Sequence, residues 1–147
     1  MLINGWNIYF LKRLFGKQRR DLRAEVKRLK EILPPDDYLR HPTVKLYAAI
    51  MQAIKEKIPV DPFTSRFSLT GPLKKFGQVK MMGIPNRYRL FFRAFKVPQR
   101  QSIFVLWLGY PRKEGDKNDC YRAFRKMVER GDFPISLDEL ILESEQG

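Results

Sequence analysis

Two runs late in the chain set the frame. RYRLFFRAF (87–95) and SIFVLWLGY (102–110) are joined by Val97–Gln101, a connection that suits a hairpin. The second run is apolar enough to be the central strand of a sheet, and Pro111 ends it. A shorter strand is predicted in QVKMMG (78–83), closing at the turn between Gly83 and Pro85. These three strands, taken as antiparallel, limit the chain to folds built on a small sheet.

The segments before and after them read as helices. In 11–33, Leu22, Val26, Leu29 and Ile32 recur at three and four residues until Pro34 and Pro35 stop the pattern. From about Thr43 to Lys57, Leu46, Ile50, Ala53 and Ile54 form a second stripe, closed by Pro59. GWNIYF (5–10) suits a short strand. CYRAFRKMVERG (120–131) predicts a helix closed by Gly131, and SLDELILES (136–144) a last one with Ser136 at its start. The fold class expected is α+β: a small twisted antiparallel sheet with helices packed on one face. A single domain is expected over residues 1–147, with 1–60 mainly helical and 76–147 supplying the sheet and C-terminal helices.

Alternation then divides RYRLFFRAF into two faces. Tyr88, Leu90, Phe92 and Ala94 are expected toward the helices; Arg87, Arg89, Phe91, Arg93 and Phe95 are expected outward. Successive side chains on one face stand roughly 6.7 Å apart. Fixed arginines at that spacing suit a chain of phosphates, and rings between them suit unstacked bases. Lys80 joins the same face from the preceding strand. The plain alternative is a solvent-facing sheet surface decorated with arginine.

Charge sharpens the choice. The net charge is +13, yet no carboxylate lies between Asp61 and Glu114, a stretch holding eleven lysines and arginines. The remainder carries 18 basic and 16 acidic residues, a difference of +2. The excess sits in the block that forms the sheet, where no internal ion pair can neutralise it, so a polyanion or an acidic protein is the expected partner. The single cysteine, Cys120, rules out an internal disulfide and fits a reducing, cytoplasmic setting. The longest apolar run, IFVLWLGYP, is about half the ~20 residues a membrane helix needs, and no membrane role is expected.

Several chemistries are disfavoured. The only histidine, His41, precedes a proline between helical segments and suits a helix end. No serine stands in a nucleophile-elbow context, and neither a Walker loop nor a dinucleotide fingerprint is present. The acid-free block offers no convergent carboxylates for a metal, so neither metal nor cofactor is expected. RNA, however, carries its own nucleophile in the 2′-hydroxyl. A protein need only align it, neutralise the pentavalent intermediate and move protons. Lysine, arginine and tyrosine suffice for that.

NGW followed by an aromatic, LRAEVKRLK, KEKIPVDP, RYRLFFR and GDKNDCYRAFRKMVERGDFP, in this order over nearly the whole chain, resemble YhaV-type toxins of bacterial toxin–antitoxin pairs, within the RelE/ParE superfamily. The resemblance implies a ribosome-associated messenger-RNA endonuclease, neutralised by a PrlF-like swapped-hairpin antitoxin. It assigns basic positions on the first strand of the block to Gln78 and Lys80, the arginine after the tyrosine to Arg89, an arginine beyond the third strand to Arg112, and a helix-start tyrosine to Tyr121. Arg89 and Arg112 are then expected to stabilise phosphate charge, Lys80 to act as base or electrostatic stabiliser, and Tyr121 to orient or deprotonate the 2′-hydroxyl. Arg87, Arg93, Lys117 and Gln78 are expected to hold RNA. Gln78 departs from the pattern, since glutamine hydrogen-bonds a phosphate without neutralising it. That departure keeps two other readings open: an inhibitor that occupies RNA or ribosome without cutting, and a gyrase poison.

Overall fold

The computed structural model describes residues 1–110 and 119–147. The chain opens with a hairpin of β1 (Leu2–Ile3) and β2 (Trp6–Leu11). Asn4 and Gly5 connect them with φ of 50° and 82°, the left-handed pair that a two-residue turn between twisted strands requires. A π-helical turn, Lys12–Gly16, leads into α1 (Lys17–Ile32), which stops where Leu33 becomes extended before the two prolines. A short α2 (Pro35–Arg40), absent from the sequence reading, precedes α3 (Pro42–Gln52). The His41 imidazole accepts the Thr43 amide at 3.2 Å, the helix-end role expected for it.

The second half supplies β3 (Gly77–Val79), β4 (Arg89–Val97), β5 (Arg100–Gly109), α4 (Asp119–Glu129), α5 (Leu137–Leu142) and β6 (Ser144–Gln146). The hairpin β4–β5 forms as expected, with β3 antiparallel on its outer side. The sheet order is β1-β2-β5-β4-β3, and β6 adds to β2. One pair departs from a purely antiparallel sheet: β2 lies parallel to β5, from Asn7 opposite Ser102 to Phe10 opposite Val105. This makes β5 the central strand, consistent with its uninterrupted apolar run.

Both faces of the sheet are covered, which extends the expectation of helices on one face. On one side Leu90, Phe92, Ile103 and Val105 meet Leu46, Ile50, Ile54 and Ile58 from α3 and the turns after it. On the other, Phe91, Phe104 and Leu106 meet Cys120 and Phe124 of α4, Phe133, and Leu140 of α5. A β-bulge makes this possible. Phe91 pairs with Trp107 but Phe92 with Val105, so Leu106 is an extra residue, and it joins Trp107 on the α4 side. Gly109 then passes directly beneath α4. A Cβ there would lie 2.8 Å from the Trp107 ring and 3.3 Å from the Cys120 Cβ.

Candidate nucleic-acid interface

The expected site residues gather at one end of the sheet, and the register explains why. Val79, the last paired residue of β3, lies opposite Leu90, so Lys80 follows just past the end of the ladder, at the end where Arg89 begins β4. On its other side Arg89 pairs with Gly109 of β5. The first turn of α4 packs over Gly109, and the Cys120 thiol donates to the Arg87 carbonyl at 3.6 Å. Tyr121 follows on that turn, half-buried against the second core. Lys80 and Arg87 are exposed, and Arg89 is half-buried. The chain positions of Lys80, Arg87, Arg89 and Tyr121 thus all fall at one end of the sheet, the rim. Arg112 and Lys117 lie outside the described residues.

Arg89 is aimed by its own turn. Its Nη1 donates to the carbonyls of Asn86 at 2.5 Å and Tyr88 at 2.8 Å, leaving the Nη2 and Nε protons without a described partner. Among the described residues, no ion pair involves Lys80, Arg87, Arg89 or Arg93. In the acid-free block the described pairing is that of Arg100 with Asp138 at 3.7 Å, far along the hairpin. The cations at the rim therefore retain their attraction for an anion. Met81 and Met82, both at positive φ, bend the chain sharply after Lys80 and end the strand there. Beside this rim, Tyr88 and Tyr110 form a tilted ring pair at 6.2 Å, with Tyr110 57% exposed. Sequence reasoning placed Tyr88 on the helix side and did not consider Tyr110.

The middle of the strand corrects one expectation. Phe91 is fully buried, stacked on Phe124 at 4.1 Å and 8° and on Trp107 at 5.7 Å. It is a core residue beneath α4, closed to bases. The face read from alternation as one open strip is thus divided by α4. Arg87 and Arg89 lie at one end, and Arg93 lies roughly 13 Å farther along β4. Arg93 donates to the Ile135 carbonyl at 2.8 Å and lies over the rings of Phe95 (4.4 Å) and Phe76 (5.6 Å). Burial lowers its pKa from the ordinary arginine value. Gln78, half-buried, pairs with Phe91 across the strands and so lies between the two ends.

A cavity of about 400 Å³ opens beside Arg93, bordered by Phe63, Lys74, Lys75, Phe76 and Phe95. The sequence reading treated 60–77 as loop. The signal present there was Lys74-Lys75-Phe76, two cations and a ring within the acid-free block. Among the described residues, no group of three or more His, Cys, Asp or Glu is placed to hold a metal ion. No helix of the described chain is long and apolar enough to cross a membrane.

Comparison with known proteins identifies the family. A family model described as a toxin with endonuclease activity, of a toxin–antitoxin system, matches residues 9–145. Toxin YhaV of Escherichia coli O6:H1 is 34% identical over 153 aligned residues, which cover 98% of this chain and 95% of that protein. Ribonuclease toxin YhaV of Escherichia coli K12 is similar to the same degree and extent. No solved structure matches. With the family pattern spanning nearly all of its length and its relatives covered almost completely, the chain belongs to the YhaV toxins of toxin–antitoxin systems, a family with endonuclease activity.

Proposed function

We propose that the protein is an endoribonuclease toxin that cuts messenger RNA in the cytoplasm, on or near the ribosome, through the RNA's own 2′-hydroxyl and without a metal. The observation that supports this reading is the end of the sheet: Lys80 just past β3 and Arg89 at the start of β4, Tyr121 on the helix turn over Gly109, and no described carboxylate paired with either cation. The name of the K12 relative, a ribonuclease toxin, supports RNA as the substrate.

In this mechanism the 2′-oxygen attacks the adjacent phosphorus while the bond from phosphorus to the 5′-oxygen breaks, and the departing 5′-oxygen takes a proton from water. Tyr121 orients the 2′-hydroxyl or takes its proton. Arg89, and Arg112 beyond β5, neutralise the charge that builds on the phosphoryl oxygens, and Lys80 assists as base or by its charge. Fixed cations of this kind act most strongly where water is thin, and a half-buried Arg89 held by two carbonyls is suited to that. The products are a 2′,3′-cyclic phosphate, or the 3′-phosphate from its hydrolysis, and a 5′-hydroxyl. Arg87, Arg93, Lys117 and Gln78 hold the flanking RNA. A cognate antitoxin of the PrlF-like, swapped-hairpin kind neutralises the toxin by offering acidic side chains to the same rim.

The test is incubation of purified protein with RNA, and with translating ribosomes, in EDTA, alongside Arg89→Ala. Cleavage by the parent protein, blocked by a 2′-deoxy substitution at the scissile nucleotide and reduced at least ~100-fold in the variant, is the expected result. Intact RNA with arrested translation selects the non-cleaving inhibitor, the reading that Gln78 favours. DNA damage with intact messenger RNA selects a gyrase poison.

A further inference from the structure

The cavity beside Arg93 is built differently from the rim. β3 begins only at Gly77, opposite Phe92, so β4 beyond that point has no strand on its outer side. The chain that arrives there through a helical turn at Gly71–Leu73 forms one wall, and Phe63 forms a lip. Phe63 is 54% exposed and touches Trp6 edge-on at 5.9 Å. Opposite it stand Phe76 and Phe95. Phe76 is fixed in place by Phe124 at 5.3 Å and Phe133 at 6.3 Å. Exposed Lys74 and Lys75 line it, and among the described residues no carboxylate borders the space.

We propose that this cavity is a subsite for one unstacked base of single-stranded RNA, flanking the cleaved phosphate by a few nucleotides. The proposal rests on the RNA-directed reading above and deepens it. Its size falls at the small end of ligand pockets, about 300–1,000 Å³, which suits a single nucleotide and excludes a duplex. Rings on the walls provide stacking surface for a base, which any base can use. The cations provide for its phosphates. Arg93 is anchored to Ile135 and lies over Phe95, so its charge is held in place and partly shielded from water, where it attracts a phosphate more strongly than a free surface arginine does. The distance also fits. The cavity lies roughly 13 Å along β4 from Arg89, within reach of the same strand of RNA. An acidic peptide is the rival occupant. It would use the lysines and the open edge of β4 but would leave the rings unexplained.

The test measures binding of a fluorescent, fully 2′-O-methylated RNA octamer, which cannot be cleaved, and of inorganic polyphosphate, which has charge but no bases. Phe63→Leu keeps an apolar contact for Trp6 and removes the ring. It is expected to weaken the octamer about 5- to 20-fold and leave polyphosphate unchanged. Lys74→Ala with Lys75→Ala is expected to weaken both ligands. Thermal unfolding of each variant shows that the fold is retained. Equal loss for both ligands in Phe63→Leu, or no loss of the octamer, overturns the base subsite. So does an acidic peptide that binds through Lys74 and Lys75 while octamer binding ignores every variant. If the parent protein leaves RNA uncut yet Phe63→Leu selectively loses the octamer, the cleavage reading fails and the subsite stands.

Discussion

Phe124 is the side chain on which the two-sided core turns, and its removal can be predicted in some detail. It is fully buried on α4, stacked on Phe91 at 4.1 Å and nearly parallel to Trp107 at 6.3 Å, with Phe76 and Phe133 around it. Phe124→Ala removes the burial of the ring and leaves a cavity walled by four aromatics that cannot all collapse inward. Such truncations cost about 3–5 kcal/mol, out of a total stability of about 5–15 kcal/mol for a domain. With a urea slope of about 2 kcal/mol per molar, the unfolding midpoint should fall by about 2 M. Phe124→Leu keeps apolar volume and loses the ring stacking, so its loss should be about 1–1.5 kcal/mol. The assay is equilibrium urea unfolding followed by far-UV and near-UV circular dichroism, with coincident transitions required. Because α4 carries Tyr121, cleavage by Phe124→Ala should also fall further than its folded fraction. A midpoint shift below ~0.5 M for Phe124→Ala is what an exposed position gives, and it would mean that α4 does not lie on the sheet.

Two further outcomes follow from the same coordinates. Gly109→Ala places a methyl group 2.8 Å from the Trp107 ring and should cost about 1–3 kcal/mol by overpacking, read as a lowered thermal midpoint. The logarithm of the affinity for the uncleavable RNA octamer should fall linearly with the logarithm of salt concentration. Arg89→Ala should reduce that slope by about 0.7, the value of one phosphate contact on a single strand, and an unchanged slope would show that Arg89 does not contact phosphate.

Much of this was legible in the sequence, for identifiable reasons. The hairpin of β4 and β5 declared itself by two apolar runs of strand length and a short polar connection. The basic start of β4 was also readable, since alternation sets Arg87 and Arg89 on one side of the chain. What alternation cannot report is which element later covers a face. Phe91 reads as an open platform because its neighbours are arginines, yet an aromatic on that face already calls for a cover. Cys120, Phe124, Met127 and Val128 recur at helical spacing downstream, which is the apolar stripe that provides it. The parallel pairing of β2 with β5 was hidden because it joins segments nearly a hundred residues apart. β6 was hidden because Ser144–Gln146 has neither alternation nor apolar content; it is held by the backbone of β2.

The extra residue at Leu106 has an effect out of proportion to its size. A strand that alternates strictly would send Trp107 toward α3 and turn Gly109 away from α4. By slipping one position, the bulge resets the phase of everything after it, so that the strand serves both cores in turn and emerges with its small residue under the helix. Deleting Leu106 would therefore do more than shorten a strand. It would invert the outgoing chain, turning Trp107 away from Phe124 and Gly109 away from Cys120, while every one of those residues remained in the sequence.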